Sequence, residues 1–99
     1  MKILNKELLD RFAKKHANSI NAIDRWVKDF ELNEFSNHNE LKALFPNADY
    51  IKRNRYVFNI KGNDYRVVAI VLFTGNIATI CFVGTHAEYD TIDCLTVLQ

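Results

Sequence analysis

Tyr56-Val57-Phe58-Asn59-Ile60-Lys61-Gly62-Asn63-Asp64-Tyr65-Arg66-Val67-Val68-Ala69-Ile70-Val71-Leu72-Phe73 changes pattern part-way along. In its first part Tyr56, Phe58 and Ile60 alternate with Arg55, Asn59 and Lys61, the period of a strand with one covered face, and Val57 is the exception. Gly62-Asn63 reads as a two-residue turn, and Asp64 to Phe73 as a long strand that is apolar on both faces after Arg66. Downstream, Thr74-Gly75-Asn76 turns the chain again and Ile77 to Val83 reads as a third strand. Short connections favour sequential pairing, so an antiparallel meander is expected, with the strand from Asp64 to Phe73 central and buried on both sides.

Upstream the period is helical. Leu4, Leu8, Phe12 and His16 recur every four residues, and Ile20, Ile23, Trp26, Val27 and Phe30 form a second stripe, with Asn18 or Ser19 as its expected cap. The Trp and Phe stripe is assigned to the core. A short third helix is expected from Asn39 as N-cap through Leu41 and Leu44 to Phe45, stopped by Pro46. The predicted architecture is an α+β sandwich of two layers. Helices over about residues 4–46 pack on one face of a sheet over about 50–84, and a short helix starts at about 85.

Composition bounds the function. The chain has 99 residues, 48% of them hydrophobic, only three Gly and one Pro, and no repeat, which points to one domain over 1–99 with a modest core. Its longest apolar run, Val67 to Phe73, falls far short of the roughly 20 residues of a membrane helix. Met1 to Arg11 lacks the uninterrupted apolar region of a signal peptide. Cys81 and Cys94 have no Cys-x-x-Cys or Cys/His spacing nearby, which argues against structural zinc and a secreted disulfide scaffold. A reducing cytoplasm, no metal, no cofactor and no membrane partner are therefore expected. The net charge of +1 hides an uneven distribution. Up to Ile51 the charges balance. Lys52, Arg53, Arg55, Lys61 and Arg66 then stand against Asp64 alone, and beyond Arg66 only acidic residues occur. Such a cluster suits phosphates, or else it is a solvated hairpin rim.

Gly84-Thr85-His86-Ala87-Glu88-Tyr89-Asp90 carries the remaining chemistry. Thr85 and Glu88 have capping-box spacing, so a helix should begin there, with His86, Tyr89 and Asp90 close enough to share a face. An imidazole, a phenol and a carboxylate would then meet at an anion-friendly helix end, unless the helix merely closes the sheet. His16 and His38 stand alone.

The segments Phe58 to Val67 and Gly84 to Asp90 together resemble the HigB toxin family, whose members pair F-N-I-x-G-N-x-Y-R with G-T-H-x-E-Y-D. The resemblance extends over most of the chain, including Leu41 to Pro46. It implies a RelE-like fold, ribosome-dependent cleavage of mRNA without a metal, and neutralisation by a HigA-type helix-turn-helix antitoxin, through which alone operator DNA would be reached. Cleavage needs an activated ribose 2′-hydroxyl, a stabilised phosphorane and a proton for the departing 5′-oxygen. Arg66 is assigned to the phosphorane, and His86 and Tyr89 to acid and base in either order. Asp90 either orients a catalytic partner or pairs with a cation. Lys52, Arg53, Arg55 and Lys61 are read as phosphate-positioning residues. One position departs: the family tends to I-R-F before G-T-H, and this chain reads Ile80-Cys81-Phe82, which removes a charge and points to a weakened toxin. The alternatives are a non-catalytic RNA- or ribosome-binding module and an antitoxin-binding module.

Overall fold

The computed structural model describes residues 1–98. Strand β1 (Lys2–Leu4) is followed by α1 (Glu7–Lys15), a 3-10 turn (Ala17–Ser19), α2 (Ile20–Glu31) and α3 (His38–Leu44). The chain continues through β2 (Asp49–Tyr50), β3 (Arg55–Ile60), β4 (Tyr65–Leu72), β5 (Ile77–Thr85) and α4 (His86–Tyr89). The strands form one sheet in the order β1-β5-β4-β3-β2. The α+β architecture holds, as does the meander of β3, β4 and β5 with β4 at its centre.

The sheet is nevertheless mixed, because β1 pairs parallel with β5 through Ile3 and Ala78. Leu4, expected in the first helical stripe, thus lies in a strand, and Asn5 at φ +67° breaks the chain direction before α1 begins. The stripe from Leu8 onward is helical and buries Leu8, Leu9 and Phe12. The caps differ too. Ser19 donates its hydroxyl to the His16 carbonyl at 2.6 Å instead of accepting from α2, and the Asn18 side chain accepts from the Tyr65 hydroxyl at 2.6 Å. Asn37, two residues before the expected cap, accepts from the Glu40 amide at 2.9 Å and starts α3. Between β3 and β4 the turn takes four residues, because Ile60 pairs with Tyr65 and the Asp64 amide closes on the Lys61 carbonyl at 3.2 Å. Lys61 and Gly62 both adopt left-handed backbone there, at φ +53° and +66°.

Both faces of the sheet are covered, unequally. On one side α1, α2 and α3 pack against Tyr56, Phe58, Ile60, Tyr65, Val67, Ala69, Val71, Ala78 and Ile80. The rings of Trp26, Phe30 and Phe58 meet edge-on or tilted at centroid separations of 5.0 to 5.6 Å, the arrangement aromatic quadrupoles favour. On the other side lies a small buried patch of Val57, Val68, Cys81 and Phe82, covered by Ile51, Tyr89 and the last residues Ile92, Cys94 and Val97. Val57, the exception to the alternation, is therefore apolar because its own face is also covered. A β-bulge opposite Val68 and Ala69 puts the consecutive residues Cys81 and Phe82 on this second face while Ile80 and Val83 remain in the main core. Among the described residues no helix is long and apolar enough to cross a membrane.

Candidate active site

The second face of the sheet and the helix at its end bring the candidate residues together. Along β4, Arg66 and Val68 point to this face, and Arg66 stands in register with Asn59 of β3 and Gly84 of β5. Gly84 has to be small, because a Cβ there would lie 2.5 Å from the Phe82 ring and 3.2 Å from a Glu88 oxygen. The chain then enters α4 through the expected capping box. Thr85 Oγ1 accepts from the Glu88 amide at 3.1 Å, and a Glu88 carboxylate oxygen accepts from the Thr85 amide at 2.8 Å. The His86 amide donates to the Asp64 carbonyl at 3.1 Å, which ties α4 to the turn ahead of Arg66. The capping box and this turn contact fix α4 beside the guanidinium.

Within that frame His86 Nδ1 lies 3.4 Å from Asp90 Oδ2, four residues on, and both side chains are more than half exposed. Tyr89 is half-buried against the second-face patch. Burial, followed by the neighbouring Cys94, pushes its phenol up to about 12, and the Arg66 guanidinium pulls the other way. Arg66 itself is only 8% exposed. Its Nη1 donates to the carbonyls of Asn63 at 3.0 Å and Tyr65 at 3.2 Å, and its Nη2 to Asn63 Oδ1 at 3.4 Å. Asn63 is thus the residue that aims the guanidinium, a role hidden in the sequence behind its turn-forming character.

The basic cluster is divided by the strand between its members. Lys61 lies in the turn beside Arg66, whereas Lys52 and Arg53 lie in the turn at the other end of β3, about 17 Å away at the rise of an extended chain. Arg55 belongs to neither group. It is partly buried, its Nε has no hydrogen-bond partner among the described residues, and its charge lowers a Cys81 thiol that burial pushes up. Cys81 is 1% exposed and shares the second face with Arg66. Among the described residues no three His, Cys, Asp or Glu side chains gather where they could hold a metal ion.

The sequence profile of the HigB toxin, described as the RelE-like toxic component of a toxin-antitoxin system, matches residues 19–92, a span that includes Arg66, Cys81, His86, Tyr89 and Asp90. The chain belongs to the HigB toxin family. It is 32% identical over 94 residues to the mRNA interferase HigB of Escherichia coli O6:H1 strain CFT073, covering 93% of this chain and 91% of that protein. It is 47% identical over 58 residues to the mRNA interferase toxin HigB of Escherichia coli K12, covering 57% of this chain and 56% of that one. The mRNA interferase HigB of Shigella flexneri matches to the same degree. In this HigB-family chain β1, α1 and all but the last residue of the 3-10 turn precede the profile match.

Proposed function

We propose that this toxin is an endoribonuclease that cleaves mRNA on the ribosome by metal-independent general acid-base chemistry. The observation that carries the reading is the convergence of Arg66, His86, Tyr89 and Asp90 where the second sheet face meets α4. The Asp90 carboxylate at His86 Nδ1 favours the tautomer with its proton on that nitrogen, which leaves the Nε2 lone pair to take the 2′-hydroxyl proton. The 2′-oxygen then attacks phosphorus, Arg66 neutralises the crowded phosphorane, and the bond to the 5′-oxygen breaks to leave a 2′,3′-cyclic phosphate. With its phenol pushed up to about 12, Tyr89 is protonated at neutral pH and suits the donor's part, giving the leaving 5′-oxygen its proton. Asp90 positions His86. Lys61 holds a phosphate beside the scissile one, and Lys52, Arg53 and Arg55 hold phosphates farther along the strand.

The partners proposed with this activity are the ribosome and its message, a HigA-type helix-turn-helix antitoxin, and operator DNA through that antitoxin alone. Cys81 is proposed to attenuate the enzyme, since it stands on the face that holds Arg66, at a position where the family resemblance implies an arginine. That difference also favours a second reading, in which the chain represses translation by occupancy without cutting. Purified ribosomes programmed with a defined mRNA, in a buffer whose Mg²⁺ keeps them assembled, separate the two with Cys81→Arg alongside. New ends that carry a 2′,3′-cyclic phosphate support cleavage through the 2′-oxygen. Intact message with both proteins leaves the occupancy reading, and ends that carry a 3′-hydroxyl against a 5′-phosphate remove the acid-base route.

A further inference from the structure

A cavity of about 250 Å³ opens between α1 and the end of β5, with Glu88 of α4 in its lining. Its lining includes Arg11, Phe12, Lys15, His16 and Glu88. Leu8, Arg11, Phe12, Lys15 and His16 follow the three-and-four spacing of a single helix face, normally an apolar stripe, yet this one carries two cations and an imidazole. Arg11 and Lys15 are exposed and form no ion pair among the described residues, while Glu88 is committed to the Thr85 amide. Arg11 spends its Nε on the Glu7 carbonyl at 3.4 Å and keeps its remaining donors. His16 stacks on Phe12 with ring centroids 4.2 Å apart and lies 5.7 Å from the ring of Tyr65, the residue before Arg66. Cationic walls and a heterocycle already in a ring stack are the two components of a single-stranded nucleic-acid subsite.

The geometry points to this cavity as a subsite for one flanking nucleotide of a single-stranded RNA, with the phosphate between Arg11 and Lys15 and the base against His16. The inference rests on the RNA-cleaving reading and extends it. Glu88 of α4 lines the cavity, and helical spacing turns His86 and Asp90, two residues before and after it, away from that side. A strand crossing that short helix enters both sites. The volume is below the roughly 300 to 1,000 Å³ of pockets that enclose a free drug-sized ligand, which fits one unit of a chain passing through.

The test uses the full chain and a fluorescent, fully 2′-O-methylated RNA dodecamer, which binds but cannot be cut. Arg11→Ala/Lys15→Ala is expected to weaken binding at least fivefold at 0.1 M salt and to flatten the log-log salt slope by about 0.7, the value for the one phosphate held between them. His16→Ala is expected to weaken binding about fivefold or more, an effect that disappears with an abasic strand. Arg25→Ala/Lys28→Ala on α2 removes the same charge outside the cavity and should change binding less than twofold. Equal losses in the two double variants, no loss in the first, or no binding by the wild-type chain each overturn the subsite. So does a hexaglutamate peptide that binds through Arg11 and Lys15 in preference to the RNA. The ribosomal cleavage assay keeps the two readings apart. Cavity-dependent binding without cleavage sinks the enzyme and leaves the subsite, and cleavage with cavity-independent binding does the reverse.

Discussion

The two faces of the central sheet are built from the same three strands and do different work. On the helical side, Tyr56, Phe58 and Ile60 of β3 and Tyr65, Val67 and Ala69 of β4 continue into the rings of α2 and α3, with Phe30 and Leu41 fully buried. On the other side the intervening residues are Arg55, Val57, Asn59, Arg66 and Val68, covered by the four-residue α4 and the chain after it. One face therefore carries the stability, and the other holds buried polar groups against a thin cover. Period-two alternation is what allows one strand to serve both, since neighbours never share a face except at the bulge that turns Cys81 and Phe82 the same way.

The largest effects should come from the helical face. Trp26→Ala removes an indole that is 5% exposed and packed on Phe30 and Phe58, and should lower stability by about 3 to 5 kcal/mol in denaturant unfolding. A wild-type midpoint would break the division between the faces at its strongest point. Trp26→Phe sharpens the same comparison. The indole Nε1 is buried without a hydrogen-bond partner among the described residues, so the phenyl ring loses volume but also removes an unsatisfied donor, and the loss should be well under half that of alanine.

On the second face the expected effects fall on chemistry before stability. Arg66→Lys keeps the charge but cannot reproduce the paired bonds to Asn63 and Tyr65, and ribosomal mRNA cleavage should fall by roughly a hundredfold or more. Because Arg66 is buried, the structure also adds a cost that the sequence concealed. Arg66→Ala strands the Asn63 acceptors and should cost about 1 to 3 kcal/mol in the same unfolding experiment. Cleavage that survives in Arg66→Lys would move the phosphorane contact to another cation. Cys81→Arg should shift activity upward, by up to roughly a hundredfold for one added electrostatic contact, with a lower melting temperature because position 81 is 1% exposed and lies near Arg55. Greater stability with unchanged cleavage would make Cys81 a packing residue and nothing more.

What was legible in the sequence follows from where each signal resides. The meander and the capping box were readable because alternation, turn residues and the Thr85-Glu88 spacing are local. β1 was not, because three residues pairing with a strand more than 70 positions away leave no local period, and Leu4 happens to fall in phase with the helix behind it. Chain order also misled the reading of charge. Lys52, Arg53 and Lys61 are neighbours in sequence, yet an extended strand holds them at opposite ends. The burial of Arg66 escaped for a related reason, since its cover comes from residues far along the chain, and the acceptors that permit it lie in a turn that seemed two residues long. Gathering Arg66 with His86, Tyr89 and Asp90 was legible only as a pairing of two segments, and the register of Arg66 with Gly84 is what joins them.

The smallest expected effect concerns the proton on Tyr89, and it tests whether the second face is covered in solution. Burial comes first among the causes that raise this phenol from its ordinary 10 to about 12, and Cys94 of the terminal segment comes next. A raised folded-state value means that the folded chain holds the proton more tightly than the unfolded chain does. Stability from this source is complete below pH 10 and is lost as the pH rises from 10 through 12. Wild-type stability should therefore decline across that interval more steeply than that of Tyr89→Phe, while the two curves run parallel at neutral pH. Cys94→Ala, which removes the second cause and leaves the first, should give an intermediate slope. Superimposed alkaline curves for wild type and Tyr89→Phe would mean that the phenol is solvated, that residues 92–97 do not rest on it, and that Tyr89 has no special reason to keep the proton assigned to the leaving oxygen.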